Sequence, residues 1–227
     1  MDAVVISLGG SVLVPGDGDS EYIKDLSTIL KELSESMKLF IVCGGGRVAR
    51  YYINTGRKLG LSEPKLDELG IASTRMNASL LIAALGESAY PKPAMDIEEA
   101  YRAGEASNIV VMGGTVPGHT TDAVSAMVAE KVGAVRLVNA TNVDGIYDSD
   151  PKNNPDAKKF DKMTYAQLQG LSSGGHDRAG PNVIFDPKGM GIITKNRIPL
   201  LVCNGRNLAA LKNAILGNDF EGTFVSD

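Results

Sequence analysis

The stretch "VCGGGRVAR", residues 42–50, sets three glycines directly before a helical pattern whose opening carries Arg47 and Arg50. Glycines let an anion approach the main chain, and the unpaired N–H groups of a helix start face it. Cations near a helix start are mildly unfavourable unless an anion sits there. Phosphate binding is the chemistry this suggests, although a plain strand–helix turn with two solvated arginines uses the same residues. A second stretch, "GGTVPGHTTDAVSAM" (113–127), leads a flexible loop into a helix capped by Thr120 or Thr121. Its hydroxyls, glycine N–H groups and helix start form another place for a phosphate or for nucleobase carbonyls. Asp122 falls in the first turn, where an acid also serves simply to complement the helix dipole. His119, one of 2 histidines, reads as a solvent-facing loop residue rather than a base.

A third stretch, "TNVDGIYDSDPKNNPDAKKF" (141–160), gathers Asp144, Asp148 and Asp150 beside Lys152, Lys158 and Lys159. Asp-Gly after a strand signals a hairpin turn, so an exposed hairpin is one reading. A nucleotide pocket with carboxylates directed at hydroxyls and Mg2+ is the other. A fourth, "SLGGSVL" (7–13), puts Gly-Gly after a strand but holds no lysine. A phosphate bound there needs its cation from elsewhere. The chain has no GxxxxGK[ST] loop, no GxGxxG fingerprint, no HExxH and no CxxC, and no nucleophile–base pair stands out. Covalent catalysis and zinc chemistry therefore find little support. Glycine loops with arginines and aspartates suit phosphoryl transfer, where positioning and charge neutralisation supply most of the catalysis.

Such loops need a scaffold, and the hydrophobic pattern supplies one. Strands are expected at Ala3–Leu8, Leu39–Cys43, Asn108–Met112, Val135–Ala140 and Pro199–Cys203. Between them lie amphipathic stretches: "SEYIKDLSTILKELSESM" with Ser20 as N-cap, "RVARYYINTGRKLG", "LDELGIASTRMNASLLIAALGE", "TDAVSAMVAEKVG" and "NLAALKNAILG". Short apolar strands alternating with helices predict a mostly parallel sheet covered on both faces. The closing "GTFVS" adds an edge strand. Ligands of such sheets gather outside the carboxyl ends of the strands, and all four glycine- or aspartate-bearing loops fall there.

The bulk properties agree. A chain of 227 residues suits one large α/β domain or two closely joined lobes, with a change of character near 134–145. A net charge of −4 without basic or acidic blocks argues against a nucleic-acid or membrane-surface binder. The apolar run around "SLLIAAL" is too short to span a bilayer, and no signal-peptide pattern opens the chain. Cys43 and Cys203 each end an apolar run and read as buried, reduced thiols of a cytoplasmic protein.

Taken in order, "ISLGGSVL", "VCGGGRVAR", "VMGGTVPGHTTDAVSAMVAE" and "NATNVDGIYDSDPK" resemble the amino acid kinase superfamily. More narrowly they resemble the archaeal branch of its UMP (uridylate) kinases, over nearly the whole chain. The resemblance implies one α/β domain, a three-layer αβα sandwich with a central, mainly parallel sheet, assembled as a homohexamer. Residues 1–134 would form a UMP-binding half and residues 135–227 an ATP-binding half. It implies transfer of the γ-phosphoryl of ATP to UMP with Mg2+, giving UDP and ADP in pyrimidine nucleotide biosynthesis. Gly10, Ser11, Gly46 and Arg50 would meet ATP phosphates, and Thr141, Asn142, Tyr147 and Asp150 would hold the adenosine. Gly45 would face UMP, Asp67 would take its ribose hydroxyls, and Thr115, Val116, Pro117, Gly118, His119, Thr120 and Thr121 would enclose it. Asp122 and Asp186, in "IFDPKG", would organise charge near the transferred group.

Two departures stand out. Bacterial members of the family place a lysine where Ser7 stands. Arg47 together with Mg2+ is the expected substitute, with Arg50 and Lys152 in reserve. In "DPKGMGI" a lysine, Lys188, stands where relatives have small or aliphatic residues. Rival functions on the same fold are an isopentenyl phosphate, carbamate or acetylglutamate kinase, for the first of which His119 speaks. A rival of another class is a non-catalytic nucleotide-binding protein.

Overall fold

Alternation along the strands sets the architecture. The computed structural model describes residues 1–16, 19–151, 153–173 and 185–227. In chain order the elements are β1 (Asp2–Leu8), α1 (Gly10–Leu13), α2 (Asp19–Leu33), β2 (Met37–Cys43), α3 (Gly46–Lys58), α4 (Glu63–Leu85) and α5 (Ile97–Ala106). There follow β3 (Ile109–Met112), α6 (Thr121–Val132), β4 (Arg136–Thr141), β5 (Ile146–Tyr147), β6 (Lys159–Phe160), β7 (Lys162–Met163) and α7 (Tyr165–Ser173). The last are α8 (Pro187–Asn196), β8 (Leu200–Asn204), α9 (Leu208–Leu216) and β9 (Thr223–Val225).

A 7-stranded sheet has the order β3-β2-β1-β4-β8-β9-β7. From β3 to β8 every pairing is parallel. β9 runs antiparallel to β8 and parallel to β7. The closing strand is thus internal, not the expected edge, because β7 pairs outside it. The expected three-layer αβα sandwich is what forms. Val4, Ile6 and Leu8 of β1 share one core with Leu39 and Ile41 of β2, Leu26 of α2, Leu81 of α4 and Leu211 of α9. The alternate residues Val5, Val42 and Leu137 share the other with Ala100 of α5, Val124 of α6 and Ile193 of α8. A two-residue period puts Ser7 and Asn139 on that second face, paired in register at the carboxyl end of the sheet. They are 3% and 6% exposed, polar where the pattern is otherwise apolar.

Two local readings need correction. Ser20 lies inside α2, which starts at Asp19; Asp19 instead accepts a bond from the Gly16 N–H and pairs with Arg206. Asp144-Gly145 does not turn a hairpin: β5 pairs with β6 across the longer excursion 148–158, because the Ile146 N–H is held by the Thr223 hydroxyl. The helix carrying "SLLIAAL" belongs to the segment Glu63–Ser88, which by length and composition alone would be long and apolar enough to cross a membrane. In this fold Leu66, Ala78, Leu81, Ile82 and Leu85 turn its inner face into the core. Cys43 and Cys203 are free and buried, and burial pushes both thiols up to about 12, so they stay protonated and inert.

Candidate active site

Because β1 to β4 are parallel neighbours, the loops after Leu8, Cys43, Met112 and Thr141 leave from a single edge of the sheet. The first two are in backbone contact. The Gly44 N–H donates to the Leu8 carbonyl at 2.8 Å, and the Gly9 N–H donates to the Ala140 carbonyl at 2.9 Å. A methyl on Gly10 would come closer than 3.0 Å to the Gly46 nitrogen and the Gly44 carbonyl. Gly46 itself has φ +58, a conformation side-chain-bearing residues rarely adopt. Gly10 and Gly46 each open a helix here, α1 and α3, with Ser11 and Arg47 next in line. The Arg47 guanidinium donates from Nη1 to the Pro15 carbonyl at 2.6 Å. Arg50 is exposed on α3. Lys152 lies outside the described residues.

Helix α4 straps these loops down. Asn77 Nδ2 donates to the Gly44 carbonyl at 2.7 Å, and Thr74 Oγ1 accepts from the Gly114 N–H at 2.7 Å. Arg75 donates to the carbonyls of Gly114 (3.2 Å) and Thr115 (3.1 Å). Asp67 accepts from the Gly118 N–H at 3.0 Å, so the expected ribose-binding acid does face the 113–121 loop. Within that loop Val116, Pro117 and Gly118 are exposed, and Thr120 caps α6 by accepting from the Ala123 N–H. Thr74, Arg75 and Asn77, which hold these loops in place, are candidate site-positioning residues that the sequence reading missed. Their signal is polarity on the inward face of an apolar helix, where Ser73, Thr74 and Asn77 are all buried. Asn77→Ala leaves the buried Gly44 carbonyl without its donor, and stability to urea is expected to fall by about 1–3 kcal/mol. An unchanged unfolding midpoint would show that the strap carries no load.

Deeper in the same edge, Ser7 Oγ donates to Asp122 Oδ1 at 2.9 Å. The Asp186 N–H also donates to the Asp122 carboxylate. Asp186 Oδ1 in turn accepts from the Lys188 and Gly189 N–H groups at 2.8 and 3.1 Å, capping α8. Burial pushes the Asp122 carboxyl up to about 6, and the nearby Asp186 charge adds to this; the Ser7 hydroxyl pulls the other way. Asp122 and Asp186, expected together from the sequence, are brought together. The expectation for His119 is corrected: its Nε2 lies 2.7 Å from the Lys188 ammonium, and its Nδ1 is buried rather than turned to solvent.

On the other flank, the Gly205 N–H donates to the Thr141 carbonyl, and Asn204 Nδ2 donates to Asp144 Oδ1 at 2.9 Å. Thr141 and the exposed Asn142 therefore sit beside Gly9, while Tyr147 ends β5. Asp150 accepts from Asn153 Nδ2 at 2.8 Å in the turn beyond. Among the described residues no group of three or more His, Cys, Asp or Glu side chains could hold a metal.

A three-layer αβα protein whose glycine loops, helix starts and paired aspartates share one sheet edge is built for anionic, phosphorylated ligands. The chain belongs to the amino acid kinase family, whose description matches residues 2–204. The uridylate kinase of Methanoculleus marisnigri is 46% identical to it over 227 residues, covering 100% of this chain and 97% of that one. The uridylate kinase of Pyrococcus abyssi is 45% identical over 222 residues, covering 98% of each. Among solved structures, the uridylate kinase of Archaeoglobus fulgidus superposes with a TM-score of 0.88 at 40% identity, covering 100% of both chains.

Proposed function

We infer that the chain transfers the γ-phosphoryl of ATP to UMP, giving ADP and UDP. The observation that carries the transfer is the backbone contact of Gly10 with Gly44 and Gly46, which gives two phosphate-binding loops one wall. The acceptor is inferred from the name borne by relatives that match the whole chain. Residues 1–134 contribute Gly45, Asp67 and the Thr115–Thr121 loop to UMP, and residues 135–227 contribute Thr141, Asn142, Tyr147 and Asp150 to ATP. Gly10, Ser11, Gly46 and Arg50 meet the ATP phosphates from the first half.

ATP would enter as its Mg2+ complex, the ion supplying positive charge to the phosphates, with Asp122 and Asp186 the described carboxylates nearest the transfer. The attacking atom is an oxygen of the UMP phosphate, largely dianionic at neutral pH because its second pKa is about 6. No base is needed to remove a proton from it, in keeping with the lack of a nucleophile–base pair. As the new P–O bond forms, the bond from Pγ to its bridging oxygen breaks and the electron pair leaves with ADP. What the protein must supply is alignment and positive charge. Arg47 supplies part of that charge once it exchanges the Pro15 carbonyl for a phosphate oxygen. Arg47→Ala is expected to lower kcat at least about tenfold; a rate within a few-fold of the parent removes Arg47 from the mechanism.

Self-association into a homohexamer belongs to the same reading. Tyr51 and Tyr52 on α3 and Met76 and Leu80 on α4 are exposed by 68, 46, 61 and 45%, an apolar face of the kind oligomers cover. Tyr51→Arg combined with Met76→Arg should yield a smaller species by light scattering, and an unchanged mass would exonerate this face. Soluble nucleotide substrates and two protonated thiols suit the cytoplasm. The acceptor is tested by ADP release with UMP, CMP and isopentenyl phosphate side by side. Turnover of UMP is expected, and inactivity with UMP beside turnover of another acceptor would overturn the choice.

A further inference from the structure

The cation absent from position 7 has a second source on the neighbouring helix. We propose that Lys188 is a catalytic residue that supplies positive charge to the transferring phosphoryl group, and that His119 holds its ammonium until nucleotide arrives. The inference rests on the phosphoryl-transfer reading above and deepens it.

Lys188 stands in the first turn of α8, the positive end of that helix, where a cation is misplaced unless an anion joins it. Among the described residues no carboxylate lies within ion-pair distance of its ammonium; the partner is His119 Nε2 at 2.7 Å. With the ammonium donating, the ring accepts through Nε2 and keeps its hydrogen on Nδ1, which is buried without an acceptor among the described residues. An ammonium on a neutral ring is a weaker pairing than an ammonium on a phosphate oxygen. The pair is therefore poised to open towards an anion.

Its location fits that anion. His119 immediately precedes the Thr120 cap of α6, and α8 starts against α6: a methyl on Gly189 would lie 3.2 Å from the Asp122 carbonyl. Asp122 holds Ser7 from one side and the Asp186 N–H from the other. The charge that a lysine at position 7 would bring from β1 is thus available from the turn packed on that same carboxylate. Of the other described cations near the edge, Arg47 donates to the Pro15 carbonyl and Arg75 to the loop carbonyls it straps, while Arg50 lies exposed on α3. In the transfer, Pγ gains a bond to the UMP oxygen and loses its bond to the bridging oxygen of ADP. Lys188 donates hydrogen bonds to the equatorial oxygens throughout and loses no proton.

The test compares wild type, Lys188→Met and Lys188→Arg in steady-state ADP release with Mg2+–ATP and UMP, with thermal melts beside them. Lys188 is exposed, so the variants are expected to melt as the parent does. Lys188→Met should lower kcat by about 100- to 1,000-fold with both KM values changed by no more than a few-fold. Lys188→Arg, which keeps the charge, should recover part of the lost rate. A Lys188→Met kcat within a few-fold of wild type, or a rise in KM alone, overturns the proposal. Should the wild type ignore UMP but use another acceptor, only the acceptor reading fails, and the same ratio of variant to wild-type kcat is read with that acceptor.

Discussion

Gly10→Ala is expected to reduce kcat/KM for UMP phosphorylation by at least about 100-fold, the loss that follows when reacting groups are displaced by about 1 Å. The added methyl has no room: it would meet the Gly46 nitrogen and the Gly44 carbonyl and carbon at under 3.0 Å, all of them backbone. No side chain can swing aside, so the loops after β1 and β2 must part. The Gly44 carbonyl is also tied to Asn77, and the Gly44 N–H to Leu8, so the displacement is resisted from both sides. Overpacking of this kind costs about 1–3 kcal/mol, which leaves a folded protein in which the kinetic loss can be read. An enzyme with near-parental kcat/KM would mean that the shared wall does not set the distance between the two substrates.

Asp122→Asn is expected to make the protein more stable and far less active. In the folded state burial raises this carboxyl from 3.8 to about 6. Between those values the folded chain keeps a proton that the unfolded chain gives up. The contribution to stability is therefore greatest below pH 3.8, falls as pH rises through the folded value, and is flat above it. Ionised Asp122 thus costs the fold up to about 3 kcal/mol at neutral pH. Asparagine avoids that cost but offers one acceptor oxygen where the carboxylate offers two, so a net gain of about 1–2 kcal/mol is expected at pH 7.5. The gain should shrink towards zero near pH 4, where the parent is itself neutral at this position. Activity should fall by about 100-fold or more, because the carboxylate joins Ser7 on β1 to the start of α8 at the proposed transfer centre. Thermal melts at the two pH values and kcat at pH 7.5 check both halves. Equal stability at pH 7.5 would contradict a strained, ionised carboxylate, and undiminished kcat would remove Asp122 from the site.

A stability cost retained at the edge where four loops meet is what the proposed function expects of Asp122. It also shows what a linear reading misses. Ser7 reads as one more residue of an apolar strand, and Asp122 as an ordinary acid in a first helical turn. Their bond spans 115 positions and exists only because α6, crossing from β3 to β4, packs against β1. The strands themselves were legible to within a residue or two at β1, β2 and β8, since a buried parallel strand is written as a short apolar run. α6 and α9 were legible for the same kind of reason, through a helical period closed by glycine. α1 has only 4 residues, too few to show a period. α5 buries only Ala100, Ala103 and Gly104, a faint stripe, although Asp96 caps it by accepting from the Glu99 N–H while Glu99 accepts from the Met95 N–H, and an acid pair at that spacing could have announced it. Polar residues of α4 were passed over because amphipathic reasoning assigns such residues to solvent; here Thr74 and Asn77 face inward and bind the backbone of two loops. The pairing of His119 is hidden from a linear reading for a related reason, since its partner Lys188 comes from a helix 69 positions away.

The central claim is that one edge of one sheet passes a phosphoryl group directly between two bound nucleotides. Phosphorus NMR of the wild-type protein with Mg2+–ATP and UMP tests it most directly, because donor, acceptor and both products are followed together. The account predicts ADP and UDP accumulating one for one, with no inorganic phosphate. ATP left intact while UMP is bound, or ADP appearing with free phosphate in place of UDP, would contradict it.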